Sequence, residues 1–193
     1  KDNAKENPHF AHALSAAWQG LPEAEEQLHA VVEDQELSAM ARASAAAHLA
    51  PFQNEATAKV IERAMEDDEP LVRFAALGFY DSQIETLARE IRDAELEADL
   101  AKRDADELQR AISTMEFENP QTRGFMQQQI GQVRGRAAQA RLRAEQASAN
   151  MKRAAEPPAK LLNDPVRLVR GEAGRILAPV DGQLLNGEQR QLR

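Results

Sequence analysis

Between Ile84 and Ala154 the apolar residues recur at alternating steps of three and four. The first arm reads Ile84, Leu87, Ile91, Ala94, Ala98, Ala101, Ala105, Leu108, Ile112 and Met115; the second reads Met126, Ile130, Val133, Ala137, Ala140, Ala144, Ala147, Met151 and Ala154. Such an alternation, sustained over several heptads, predicts two long helices meeting along a narrow seam, which is the pattern of a coiled coil. Both arms have large residues at their ends and four alanines in the middle. Folding the chain near Asn119-Pro120 therefore lays alanine against alanine, and the arms run antiparallel. At 1.5 Å per residue each arm reaches on the order of 45 Å.

Charge agrees with this pairing. From Ile84 to Glu116 acidic residues outnumber basic ones two to one, whereas the second arm carries Arg123, Arg134, Arg136, Arg141, Arg143, Lys152 and Arg153 against Glu145 and Glu156. Exposed pairs contribute only a few tenths of a kcal/mol each, roughly, so charge selects the pairing and seam burial stabilises it. Glu97 with Arg143 and Asp104 with Arg136 are the expected partners. Leu96, Leu100 and Leu142 lie off the seam near the alanine layers, either as a cover for this thin section or as a surface for another helix.

Either side of the hairpin the pattern changes to short amphipathic segments. Asn7-Pro8 opens an expected helix running to Gly20, and a second begins at Pro22 and turns Leu28, Val31 and Val32 inward. A repeat follows. When Ala41-Arg42, Val72-Arg73 and Val169-Arg170 are aligned, an alanine stands four residues on (Ala45, Ala76, Ala173), and an acid five residues before (Glu36, Asp67, Asp164). In two of the three, an acidic turn with proline precedes the Val-Arg pair: Asp67-Asp68-Glu69-Pro70 and Asp164-Pro165. Acids near a helix start offset its orphan amides, proline fits the first turn, and alanine lets neighbouring helices approach.

This pattern resembles the HEAT repeat, in which helix pairs stack into a solenoid, over Glu36 to Tyr80 and Pro157 to Val180. The resemblance implies a structural part for Arg73 and Arg170, each bonding to the acidic turn of an adjacent repeat; the other reading of the same arginines is an anion site. The first two aligned positions are 31 residues apart and the next two are 97 apart, so the hairpin is inserted within one repeat. That places the end of the repeat's first helix near Tyr80 and a shortened second helix after Pro157. The expected architecture is all-α: a short HEAT-like α-solenoid with a long antiparallel two-helix coiled-coil insertion. Its parts are 1–82, N-terminal repeats; 83–155, the hairpin; and 156–193, the returning repeat and tail. Without evident polar capping repeats, the chain reads as a fragment of a longer protein.

Composition narrows function. Aromatics are 4% of the 193 residues and there is no cysteine, so disulfides, thiolate metal sites and Cys-x-x-Cys-His haem attachment are excluded within this segment. A net charge of −8 argues against nucleic acid as partner, and no apolar run is of membrane length. The cytoplasm and the periplasm suit the chain equally. No catalytic triad order, phosphate loop or zinc-protease motif occurs, so no catalytic, cofactor-binding or metal residues are assigned and no enzyme activity is expected. His9 and His12, three apart on one helix face, have a ligand spacing but no third ligand marked.

The hairpin tip is the candidate binding site. Met115, Phe117, Asn119, Phe125 and Met126 gather two of the six phenylalanines where a free hairpin is wet. They read either as a self-packed apolar cap or as a docking knob for a protein partner or a second copy. The expected function is a non-enzymatic interaction scaffold. An alternative comes from a likeness of Leu162–Ala178 to the HEAT-type tail of bacterial multihaem c-type cytochromes, which implies an accessory region of a redox enzyme.

Overall fold

The structure, a computed structural model, describes residues 23–114 and 120–185. Its elements are α1 (Ala24–Glu33), α2 (Ala39–His48), α3 (Glu55–Ala64), α4 (Pro70–Thr114), α5 (Pro120–Lys160), a 3-10 turn (Leu161–Asn163) and α6 (Arg167–Ile176). Among the described residues there is no strand, and no helix is long and apolar enough to cross a membrane. The helix expected from Asn7 to Gly20, with His9 and His12, lies outside the described residues.

Local chemistry sets the helix starts. Ser38 and Asn54 cap α2 and α3, accepting from the amides of Ala41 at 3.3 Å and Thr57 at 3.0 Å. Before α4 and α6 the acid sits further upstream: Asp67 accepts from the Glu69 amide at 2.9 Å, and Asp164 from the Val166 amide at 2.8 Å. The same aspartate-turn device thus precedes two helices that are far apart in sequence.

The chain divides into two compact units, one taking the chain up to Glu85 and again from Lys152, the other Thr86–Met151. In the first, α1 packs on α2 and α3, and buries Leu28, Val31 and Val32 as its periodicity requires. Leu49, Ile61, Val72, Leu77, Leu162, Val169, Ile176 and Leu177 complete a core of large side chains with almost no solvent contact.

In the second unit the seam of the two long helices is observed. Ala94, Ala98, Ala101, Ala105 and Ile112 are buried on α4, and Ile130, Ala137, Ala140, Ala144, Ala147 and Met151 on α5. Arg143 donates to Glu97 at 2.6 Å and Arg134 to Gln109 at 3.5 Å, so moving forward along α4 means moving backward along α5. The pair is antiparallel. Asp104 and Arg136 line one groove without forming the expected ion pair.

Two expected boundaries are corrected. No helix ends near Tyr80, because α4 continues from Pro70 to Thr114, and no new helix opens after Pro157, because α5 runs through Pro157 and Pro158 to Lys160. Asp81-Ser82-Gln83 contains neither glycine nor proline, so nothing there competes with continuing the hydrogen-bond ladder. The two prolines deprive the carbonyls of Arg153 and Ala154 of their helical donors. They do so within the last turn or so of α5, where Ala154, Ala155, Ala159, Leu161 and Leu162 are buried and hold the segment in place.

Candidate functional site

Three arginines occupy the aligned positions of the repeat, and each folds back on the turn before its own helix. Arg42 Nη1 donates to the Leu37 carbonyl at 2.8 Å. Arg73 Nη1 donates to the carbonyls of Asp67 at 2.7 Å and Asp68 at 3.0 Å. Arg170 Nη1 donates to those of Asp164 at 2.5 Å and Pro165 at 3.0 Å. A guanidinium anchored in this way by one nitrogen presents its other edge in a fixed direction.

What meets that edge differs. Arg42 Nη2 donates to Asp67 at 2.9 Å. Arg73 makes a two-point contact with Asp164, Nε to Oδ2 at 2.6 Å and Nη2 to Oδ1 at 3.1 Å. Each of these two arginines therefore clasps the aspartate of the next turn in line, and both ion pairs are buried. Arg170, half-buried, has no carboxylate on its guanidinium among the described residues. It lines an open hollow with Leu162, Asn163, Arg167 and Gly171. The expected bond to an adjacent acidic turn is thus present for Arg73, while Arg170 bonds only the carbonyls of its own turn.

Electrostatics follow from the contacts. Burial pushes the Asp164 carboxyl up, but the Arg73 hydrogen bonds, the Val166 amide and the charges of Arg73 and Arg170 outweigh it and hold it below its ordinary value. Asp67 shows the same balance: burial raises it, and the bonds from Arg42, the Glu69 amide and Gln35 more than offset that. The Asp164 hydrogen bond raises Arg73 further above its already high value.

A second polar cluster carries no mark in the sequence. Thr57 Oγ1 donates to Glu25 at 2.7 Å, Asn54 donates to the same carboxylate oxygen at 2.6 Å, and the His29 ring nitrogen lies 2.8 Å from Thr57 Oγ1. A hydroxyl, an imidazole and a carboxylate resemble catalytic components, but the order is wrong for nucleophile activation. The hydroxyl is engaged directly by the carboxylate, and Thr57 is fully buried, out of reach of a substrate. The cluster ties α1 to α3 and lowers the Glu25 pKa, chiefly through the Asn54 and Thr57 hydrogen bonds. Among the described residues no group of three or more His, Asp or Glu is arranged to hold a metal ion.

At the hairpin tip, Met115, Phe117 and Asn119 lie outside the described residues. Phe125 is 60% exposed and Met126 half-buried, so this end of α5 places one phenylalanine ring in water. Leu96, Leu100 and Leu142 are likewise exposed, which leaves them as surface and not as a cover for the alanine layers. Leu96 and Leu100 form one wall of a groove with Asp93, Glu97, Asp104 and Arg136. Gly131 and Gly135 have open space where a Cβ would stand, and so does Gly171; Gly174 would meet only Leu162, at 4.0 Å.

Comparison of the chain with family models and with curated proteins finds no match.

Proposed function

We propose that this chain is a non-enzymatic interaction scaffold: a short stack of HEAT-like repeats into which an antiparallel coiled-coil hairpin is inserted, with binding through the stack's surface and through the hairpin. The observation that carries this reading is the recurring arginine clasp. One device, an arginine anchored on its own turn and closed on the aspartate of the next, joins α2 to the turn before α4 and α4 to the turn before α6. Repetition of a contact at the junction between helix pairs is what a stacked-repeat architecture requires, since each pair buries its apolar face only against its neighbours. The hairpin adds exposed apolar side chains, Phe125 at one end and Leu96, Leu100 and Leu142 along its length, in a strongly charged surround. An aromatic anchor within a polar rim is the composition of a binding surface.

The test is site-specific photocrosslinking from position 125, in cells producing the chain, beside the Phe117→Ser/Phe125→Ser variant probed from a neighbouring position. The expected result is one or a few discrete adducts, lost in the serine variant at unchanged helicity. An unselective smear, equal in both, would overturn the reading at the hairpin tip.

A further inference from the structure

The third arginine of the series presents the same donor edge as the other two and, among the described residues, meets no carboxylate on it. We infer that Arg170 is a receptor for the aspartate of a helix-opening turn supplied by a partner protein. This rests on the stacked-repeat reading above and names the chemistry of the partner that the Arg170 hollow takes.

The geometry is set by direct comparison within the molecule. Arg73 and Arg170 are each fixed by Nη1 donating to two successive carbonyls, those six and five residues earlier, at 2.7 and 3.0 Å in one case and 2.5 and 3.0 Å in the other. With that anchor made, the Nε and Nη2 edge of Arg73 closes on both oxygens of Asp164. The matching edge of Arg170 is already pre-organised, so a carboxylate arriving there meets a fork whose side-chain ordering has been largely completed beforehand.

The surroundings select the kind of carboxylate. Arg167 stands one turn before Arg170, so the hollow is locally basic in a chain of net charge −8. Leu162, Asn163 and Gly171 complete its lining, and Leu168, on the same helix, is 64% exposed. At the position after each arginine, Ala43 is buried, Phe74 half-buried and Gly171 exposed with open space over its Cα, so the first two are covered by packing and the third is not. A helix brought up by its opening turn fits these features together. Its aspartate caps its own first amides while both oxygens reach the guanidinium, as Asp164 does with the Val166 amide and Arg73. A free inorganic anion would use the fork but not the exposed Leu168 on the same helix.

The probe is a synthetic peptide copying residues 157–178 of this chain, which contains the turn that seats on Arg73. The side-chain Nε–H resonance of Arg170 is followed by NMR in the full chain as peptide is added, with that of Arg73 as an internal reference. Saturable movement of Arg170 with Arg73 unchanged is expected. The peptide carrying Asp164→Asn should bind at least tenfold more weakly, and so should the parent peptide with the Arg170→Lys protein, which keeps the charge but loses the fork.

Three results overturn the inference: no movement at millimolar peptide, equal movement with the asparagine peptide, or a concentration-dependent shift of Arg170 in the protein alone, which would make the occupant a second copy. Each leaves the crosslinking result at position 125 unaffected, so this assignment and the scaffold reading fail separately.

Discussion

Arg73 and Asp164 are 91 positions apart in the chain and are joined by two hydrogen bonds, 2.6 and 3.1 Å, with both side chains almost wholly removed from water. Removing one partner leaves the other charged, buried and uncompensated. Arg73→Ala is therefore expected to cost about 3–5 kcal/mol, whereas replacing both residues with apolar ones of similar volume should cost much less. Urea denaturation of the single and double variants checks this, and a double variant as unstable as the single one would contradict it.

The same contacts give a pH dependence of definite sign. Asp164 and Asp67 are depressed below the ordinary 3.8 in the folded chain, so the folded state binds its protons at lower pH than the unfolded one. Their contribution is complete above that unfolded value and is lost as pH falls through the folded one. Stability measured from pH 7 down to pH 2 should fall chiefly below about pH 4 to 5. Asp164→Asn should start less stable and then lose less over the same interval. Arg73 is shifted the other way, upward, so it stays charged throughout this interval and its own titration adds nothing to the loss.

Glu97 and Arg143 form a short contact, but both are about half exposed. Solvent screening limits such a pair, and a double-mutant cycle should return a coupling of about 0.2–1 kcal/mol that shrinks in high salt. The charge-swapped double variant, Glu97→Arg with Arg143→Glu, should retain the hairpin. A coupling of several kcal/mol would show that the pair, and not the seam, holds the arms together.

Gly131→Ala and Gly135→Ala should each stabilise α5, because nothing stands within 4 Å of the added Cβ and glycine costs a helix interior up to about 1 kcal/mol relative to alanine. Thermal unfolding followed by circular dichroism is the measurement. Destabilisation by either substitution would contradict the open surface seen there.

Tyr80 presents the opposite case. Its hydroxyl is buried with no hydrogen-bond partner among the described residues, and burial, with the Glu62 charge, pushes its pKa upward. Its ring meets Phe79 edge to face with centroids 5.1 Å apart. Tyr80→Phe keeps the ring and removes the stranded hydroxyl, so it should be neutral or stabilising by about 1 kcal/mol, where most core substitutions are not.

The all-helical character and the long helix pair were legible in the sequence because heptad spacing is a local signal, complete within any thirty residues. Where helices end was not. The spacing of the repeat places a boundary near Tyr80, but Asp81-Ser82-Gln83 offers no stop, and Pro157-Pro158, which reads as a stop, falls where α5 is about to end in any case. The clasp on Asp164 was within reach because its aspartate turn is a short motif that occurs twice. The Glu25–His29–Asn54–Thr57 cluster was not, since its members lie up to 32 residues apart and none has a distinctive neighbour. Of the expected tip residues, only Phe125 and Met126 fall among those described, and Phe125 is the one that faces water.

The four alanine layers make the middle of the hairpin indifferent to its own alignment. Slide one arm past the other by half a heptad and three of the four layers still set alanine against alanine, with little change in buried area there. The discriminating contacts are at the two ends of the unit, where Ile112, Ile130 and Met151 are buried and would lose their places. The hairpin therefore has pins at its ends and a smooth track between them. A substitution at Ile112 or Ile130 would act less like a cavity than like a released catch, yielding several interconverting alignments in place of one weakened structure.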